Sequence, residues 1–402
     1  MSETYRALEY SFRPGRVLWQ RLTAAILKTR IDRSLRLTTR QDVATIAEKE
    51  GWVPLAPVLS GICGSDLAIL RGRSSPYLAP LVSFPAVFGH EVVARTLDSQ
   101  ARRVVVNPTL SCQARNLPLC SACKRGETDE CANRDEKTLG PGLLIGYTRS
   151  APGGWSTCMW APATQLIDVP GDLADERALL AEPTAIVLEG LRRSVLQPCE
   201  TVLILGAGPI GLLALALARH HMPRATLAVR SRYPAQSLMA EALGADRVLD
   251  APHDKEVMAS PALDDIAGKA REALWGALPY RTGGFDLTID SVGSGATLQM
   301  AFALTRPGGA ILLLGGAHQA TVDFTPLWSR RLTVYGTFGY AHGHGFAANR
   351  TFAEAIEWLK TSPAPLERLV THRFPLEDYP EAFRVLGHRA SGALKVAFAP
   401  NP

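Results

Sequence analysis

The sequence predicts an α/β fold in which a doubly wound parallel sheet is joined to a barrel-like, mainly antiparallel domain. Two observations carry that prediction. From about Thr201 to Val334, short apolar, β-rich runs alternate with helical patterns, as buried parallel strands with crossover helices require. Before about Leu180 that rhythm is missing. The runs there are short and interrupted at Gly61, Gly64, Pro85, Pro108, Pro141 and Gly153–Gly154, which suits antiparallel strands joined by turns. The 402 residues accommodate two such units, since a domain typically takes roughly 100–200 residues. The expected partition is 1–188 with 339–402 for the barrel-like domain and 189–338 for the parallel sheet.

In the second unit the expected strands are Thr201–Leu205, Ala225–Val229, Asp286–Asp290 and Ala310–Leu314. Gly211–His221 and Ala235–Leu243 are expected helices. The apolar run Thr201–Ala218 approaches the length of a membrane span, but Gly206, Gly208, Pro209 and Gly211 interrupt it, so a strand, a turn and a buried helix explain it better. Arg16–Arg36 carries Leu18, Leu22, Ile26 and Leu27 near helical spacing among six basic residues, and reads as a basic amphipathic helix. An ordinary surface helix is favoured over a membrane-binding one.

Composition narrows the function. Hydrophobic residues make up 47% and charged residues 20%, which excludes a disordered, collagenous or coiled-coil chain. The net charge of +5 is too small and scattered to mark a nucleic-acid binder. Seven cysteines are too few for a disulfide scaffold, and no signal-peptide pattern opens the sequence, so a reducing cytoplasm is expected.

The strand Val202–Leu205 runs directly into Gly206-Ala-Gly208-Pro209-Ile210-Gly211 and then a helix. In that context GxGxxG is a dinucleotide turn. Gly206 permits the tight bend, Gly208 lets backbone approach a pyrophosphate, and Gly211 lets helix pack on strand. A carboxylate about 20 residues on would hold the 2′-hydroxyl of NAD. Here the next strand ends in Arg230-Ser231-Arg232, which could pair with a 2′-phosphate, so NADP(H) is expected over NAD(H).

Cys112, Cys120, Cys123 and Cys131 fall within 20 residues of turn-rich chain with little apolar patterning. Four thiolates around one tetrahedral zinc would hold such a loop together and leave no open position, a structural site. Three further fragments, Cys63-Gly-Ser65-Asp66, His90-Glu91 and Glu182-Pro183, are weak signals individually, and spacing alone cannot join them. Trp155, Trp160, Phe88 and Tyr77 suit either an aromatic pocket or the core.

The ordered series GICGSD, GHE, the four cysteines, LAEPTAIVLEGL, GAGPIG, DLTIDSVG and PGGAILLLGG resembles the zinc-dependent medium-chain dehydrogenase/reductase family, with its alcohol, sorbitol and threonine dehydrogenases. The resemblance runs from about Gly51 onward. It implies a Rossmann domain, a GroES-like catalytic domain, a structural zinc on the four cysteines, and a catalytic zinc on Cys63, His90 and Glu182. It further implies that Glu91 can enter the metal shell, that Asp66 orients the ligand histidine, and that Ser65 exchanges a proton with the substrate oxygen. Hydride would pass between NADP(H) and a small alcohol or carbonyl substrate. Family habit implies a homodimer or homotetramer.

The sequence departs from the family pattern in places. Ala68 stands where many relatives have a proton-relaying histidine, and seven residues rather than two separate Cys112 from Cys120. Reduction of an activated C=C or C=N bond, or nucleotide sensing without turnover, remain alternatives on the same scaffold. The glycine-rich stretch around His342 and His344 reads as a connection rather than a metal site.

Overall fold

The computed structural model describes residues 4–15, 34–41, 50–136, 139–194, 199–251, 253–272, 274, 278–316, 319–340, 349–388 and 391–401. Strands β1 (Tyr5–Tyr10) and β2 (Leu35–Arg40) pair antiparallel, with Tyr10 opposite Leu35 and Glu9 opposite Arg36. Leu35 and Arg36 were expected to end a basic helix. They extend instead because Leu35 alternates into the core against β1, a period of two that the flanking helical pattern masked. Residues 16–33 of that expected helix, and His342 and His344, lie outside the described residues.

β3 (Trp52–Gly61) opens the larger sheet and leads into helix α1 (Gly64–Leu70). β4 (Ala86–Val87) returns to pair with β1. β5 (Val92–Thr96), β6 (Arg103–Val106), β7 (Met159–Pro162) and β8 (Leu166–Asp168) follow. β3, β5, β6 and β8 pair antiparallel in that order, and β7 lies on β3. The inner face of this sheet is aromatic. Phe88, Trp155 and Trp160 are fully buried, Trp155 lying 5.6 Å from Phe88 and 5.2 Å from Phe398 between ring centroids. These residues are core, not pocket, and Tyr77 is 89% exposed on the surface.

Helix α2 (Ala181–Ser194) then carries the chain, without a break at position 188, toward β9 (Thr201–Leu205) and α3 (Pro209–His221). β10 (Thr226–Arg230), α4 (Pro234–Ala242), β11 (Arg247–Leu249), β12 (Phe285–Asp290), α5 (Gly295–Leu304), β13 (Thr305–Leu313) and β14 (Thr333–Gly336) complete a six-stranded sheet. Its order is β11-β10-β9-β12-β13-β14 and every pairing is parallel. This is the doubly wound topology the alternation predicted, and its order reverses between β9 and β12. The apolar run Thr201–Ala218 is β9, the glycine turn and α3. Among the described residues no helix is long and apolar enough to cross a membrane.

Helix α6 (Arg350–Thr361) packs on α2, and β15 (Val370–Phe374) and β16 (Lys395–Phe398) return to the first sheet, β16 lying antiparallel to β3. The chain end thereby delivers Lys395 beside Gly61, where the site forms.

Candidate active site

Where β3 gives way to α1, the Cys63 backbone N–H donates to Asp66 Oδ2 at 2.8 Å, so the helix cap and the Asp66 carboxylate are fixed together. His90 and Glu91 lie in the turn from β4 to β5. Gly89 before them has φ +98°, and a Cβ there would come within 2.5 Å of Trp155, so only glycine brings this turn against the aromatic core. Gly61 likewise leaves no room for a Cβ, because the Glu91 carboxylate fills that space.

The folding therefore joins what spacing could not. The sulfur of Cys63, a ring nitrogen of His90 and a carboxylate oxygen of Glu91 lie within 4.8 Å of one another. Asp66 Oδ1 stands 3.6 Å from His90 Nδ1, which leaves Nε2 as the nitrogen free to ligate. Burial alone lowers the His90 imidazole, but the Asp66 carboxylate and Cys63 outweigh it and hold it well above its usual value. Glu91 forms a buried ion pair with Lys395. Burial lowers the Lys395 ammonium while Glu91 and Cys63 raise it more, so it stays charged.

Glu182 enters from the first turn of α2. Its Oε1 accepts a hydrogen bond from the Tyr340 hydroxyl, and its carboxylate is not part of the three-donor group. Burial raises the Glu182 carboxyl to about 7, against the pull of His90 and with the push of Glu91, so it senses both. Ser65 is exposed on α1, and the Tyr147 hydroxyl lies 2.8 Å from its Oγ.

A thiolate, an imidazole and a carboxylate form a donor set that suits zinc, and three protein ligands leave one position open. The four cysteines form a second, closed set, with all sulfurs within 4.8 Å and Cys112 Sγ 3.5 Å from Cys131 Sγ. Tetrahedral zinc–sulfur bonds of ~2.3 Å would space the sulfurs about 3.8 Å apart. Backbone N–H groups of Cys120 and Cys123 and the Asn133 side chain donate to these sulfurs, and the thiols remain free of disulfides. The hydrogen bond from Cys123 lowers Cys131 and raises Cys123 in turn, so these sulfurs share a proton that a bound cation would displace.

The glycine turn sits at the reversal point of the parallel sheet. Gly206 has φ +99°, a Cβ on Gly211 would collide with the Gly206 carbonyl, and a Cβ on Gly208 would meet nothing within 4 Å. Gly211 therefore packs helix on strand, and Gly208 faces the open space a pyrophosphate needs, with Pro209 and Ile210 opening α3. The strand-end trio divides. Arg230 is buried, its guanidinium bonded to the carbonyls of Ser231 and Leu249 and 3.1 Å from Asp254. Ser231 Oγ lies 2.8 Å from Ser237 Oγ, and Arg232 alone is exposed. Arg230 turns inward because the Asp254 carboxylate, remote in sequence, compensates its burial.

Sequence reasoning missed Tyr147, Tyr340 and Lys395. A lone lysine in the apolar strand Lys395–Phe398 was a usable signal, since a buried charge demands a partner. The two tyrosines carried none.

Residues 49–171 match the model of the alcohol dehydrogenase GroES-like domain, and residues 209–361 that of the zinc-binding dehydrogenase. The chain belongs to the zinc-dependent medium-chain dehydrogenase/reductase family. Among family members, it is 28% identical to the sorbitol dehydrogenase of Arabidopsis thaliana, over 84% of this chain and 85% of that one. It is 27% identical to the L-idonate 5-dehydrogenase of Vitis vinifera, again over 84% and 85% of the two chains. Its fold matches that of a zinc-binding dehydrogenase of Sinorhizobium meliloti 1021 bound to NADP, with TM-score 0.70, 24% identity and full coverage of both chains. An alcohol dehydrogenase of Escherichia coli CFT073 complexed with NADH matches with TM-score 0.72 and 22% identity, over 99% of this chain and 100% of that one. As a family member this protein is a zinc-type alcohol oxidoreductase that works with a nicotinamide cofactor.

Proposed function

We propose that the protein interconverts a secondary alcohol, of the polyol or sugar-acid type, and its ketone with NADP(H). The observation that carries the reading is the convergence of Cys63, His90 and Glu91 beside the exposed Ser65 hydroxyl. Curated relatives act on sorbitol, L-idonate and L-galactonate, which supports the substrate class. The Arg230-Ser231-Arg232 strand end itself contains no acid, the nearby Asp254 carboxylate is paired with Arg230, and Arg232 stays exposed, which supports NADP(H).

Cys63 and His90, with Glu91 or Glu182, would hold the catalytic zinc, and the four cysteines the structural one. When bound, zinc supplies a Lewis acid for the substrate oxygen, and the nicotinamide supplies or takes up the hydride. Asp66 fixes the orientation of the His90 ring. Ser65 exchanges a hydrogen with the substrate oxygen, its position in the first turn of α1 set by the Cys63–Asp66 bond. Lys395 holds Glu91, and Tyr340 holds Glu182, so two acids stand ready near one centre with separate tethers. Gly208 and the start of α3 receive the pyrophosphate.

A homodimer is part of the proposal. Val334 and Phe338, exposed on and just beyond the edge strand β14, and the exposed Trp328 give that sheet edge an apolar surface for a second copy.

Zinc per chain, measured by elemental analysis on wild type and Cys63→Ser, tests the reading together with a panel of sorbitol, L-idonate and L-galactonate under NADP+ and NAD+. Two zincs falling to one, with turnover that prefers NADP+, is the expected result. One zinc in both proteins, or no turnover of a two-zinc protein, would overturn it.

A further inference from the structure

Ser65 is tethered by something outside its own helix. Ala68, one turn on along α1, offers no polar atom to hold the hydroxyl. The Tyr147 hydroxyl lies 2.8 Å from Ser65 Oγ and 2.7 Å from Asp66 Oδ1, bridging the two. Tyr147 is buried, packs edge-on against Phe88 at 5.4 Å and lies 5.1 Å from the His90 ring. Its backbone is fixed as well: its N–H donates to the Leu144 carbonyl, and its carbonyl accepts from the Ser83 N–H. Gly146 before it has φ +89° and packs on the Gly89 backbone, so tyrosine and histidine turns are locked together.

A phenol has one hydrogen to give. It donates toward Ser65 Oγ and shares that hydrogen with the Asp66 carboxylate, which can only accept. The Ser65 oxygen is thereby held from within, and its own hydrogen is left to turn outward.

We propose that Tyr147 is a positioning residue that holds the Ser65 oxygen from within and leaves the Ser65 hydrogen turned outward, so that Ser65 meets the substrate oxygen as a hydrogen-bond donor. This rests on the reading above, in which Ser65 contacts the substrate oxygen. Tyr147 thus supplies, from a turn far away in sequence, a tether that position 68 cannot.

The test is a double-mutant cycle on the zinc-loaded protein with Ser65→Ala, Tyr147→Phe and the double variant. The probe is whichever of sorbitol, L-idonate and L-galactonate the wild type oxidises fastest. Tyr147→Phe is expected to lower kcat about tenfold, to leave KM within about threefold and to retain both zincs. In the Ser65→Ala background it should lower kcat no further, because its effect passes through Ser65. An unchanged kcat, or an equal loss in both backgrounds, would overturn the proposal while leaving the reading of the enzyme intact. A wild type that oxidises none of the three, or a Ser65→Ala variant as active as wild type, would overturn both.

Discussion

Asp129, inside the four-cysteine lobe, accepts a hydrogen bond at 2.9 Å from the backbone N–H of Tyr340, four residues past the end of β14. The contact is close enough that Gly339, at φ +79°, has no room for a Cβ against the Asp129 carboxylate. Tyr340 is buried, and its hydroxyl is spent on Glu182. A loop that spacing marks only as a structural lobe therefore fixes a tyrosine that in turn fixes a candidate catalytic acid.

Tyr340→Phe removes the donor and leaves a buried carboxylate oxygen without it, a loss of about 1–3 kcal/mol at that group. We expect kcat/KM to fall by about tenfold or more while the zinc count stays at two. Steady-state kinetics alongside elemental analysis decides this; wild-type kinetics in the variant would mean that Glu182 needs no such tether.

The two strand-end arginines separate into different jobs, and their substitutions should separate too. Arg232→Asp should raise KM for NADPH about tenfold or more, since a carboxylate there repels the 2′-phosphate. Arg230→Ala should instead lower the melting temperature, because it leaves Asp254 and the Leu249 carbonyl without their partner, and should leave the NADPH-to-NADH preference unchanged. Cofactor titrations and thermal denaturation on both variants check the pair.

Gly211→Ala drives a methyl group into the Gly206 carbonyl and toward Ser291. Helix and strand would have to move apart, at a cost of about 1–3 kcal/mol, with the pyrophosphate turn distorted as they do. Weaker NADPH binding by calorimetry and a lower melting temperature are expected together; Gly208→Ala, with open space at its Cβ, should weaken binding without the stability loss.

Asp286 opens the central part of the parallel sheet by accepting from the backbone N–H groups of Glu200 and Thr201 at 2.9 and 2.8 Å and from Arg306. Partial burial raises its carboxyl, but Arg306 and the Thr201 and Glu200 bonds outweigh that and hold it below its ordinary value. A depressed folded-state value means that the stabilisation is present above the unfolded value of about 3.9 and is lost as pH falls through the folded one. Asp286→Asn should therefore be less stable than wild type near neutrality, with the gap closing in acid. Denaturant melts at several pH values measure it; a gap independent of pH would rule out the carboxylate as its source.

The parallel sheet was legible in the sequence because its signals are local. Thr201–Leu205 is a strand with the predicted bounds, and the others shift by a few residues at most except Thr305–Leu313, which starts earlier through Pro307-Gly308-Gly309, where Gly308 adopts φ +72°. The glycine turn and the four-cysteine cluster are local as well, so their geometry could be anticipated from spacing.

By itself the sequence determined the alternation, the glycine turn, the four-cysteine cluster and the residue types of the candidate metal centre. Only the tertiary structure decided which of them meet. Cys63, His90 and Glu91 come together because β3, the β4–β5 turn and glycines 61 and 89 permit backbone approaches that no linear spacing encodes. The side chains that tune the site, Tyr147, Tyr340 and Lys395, come from other turns and from the chain end. Arg230 turns inward for the same reason: a buried charge takes its partner from whatever the fold sets beside it, and Asp254 is set there only by folding.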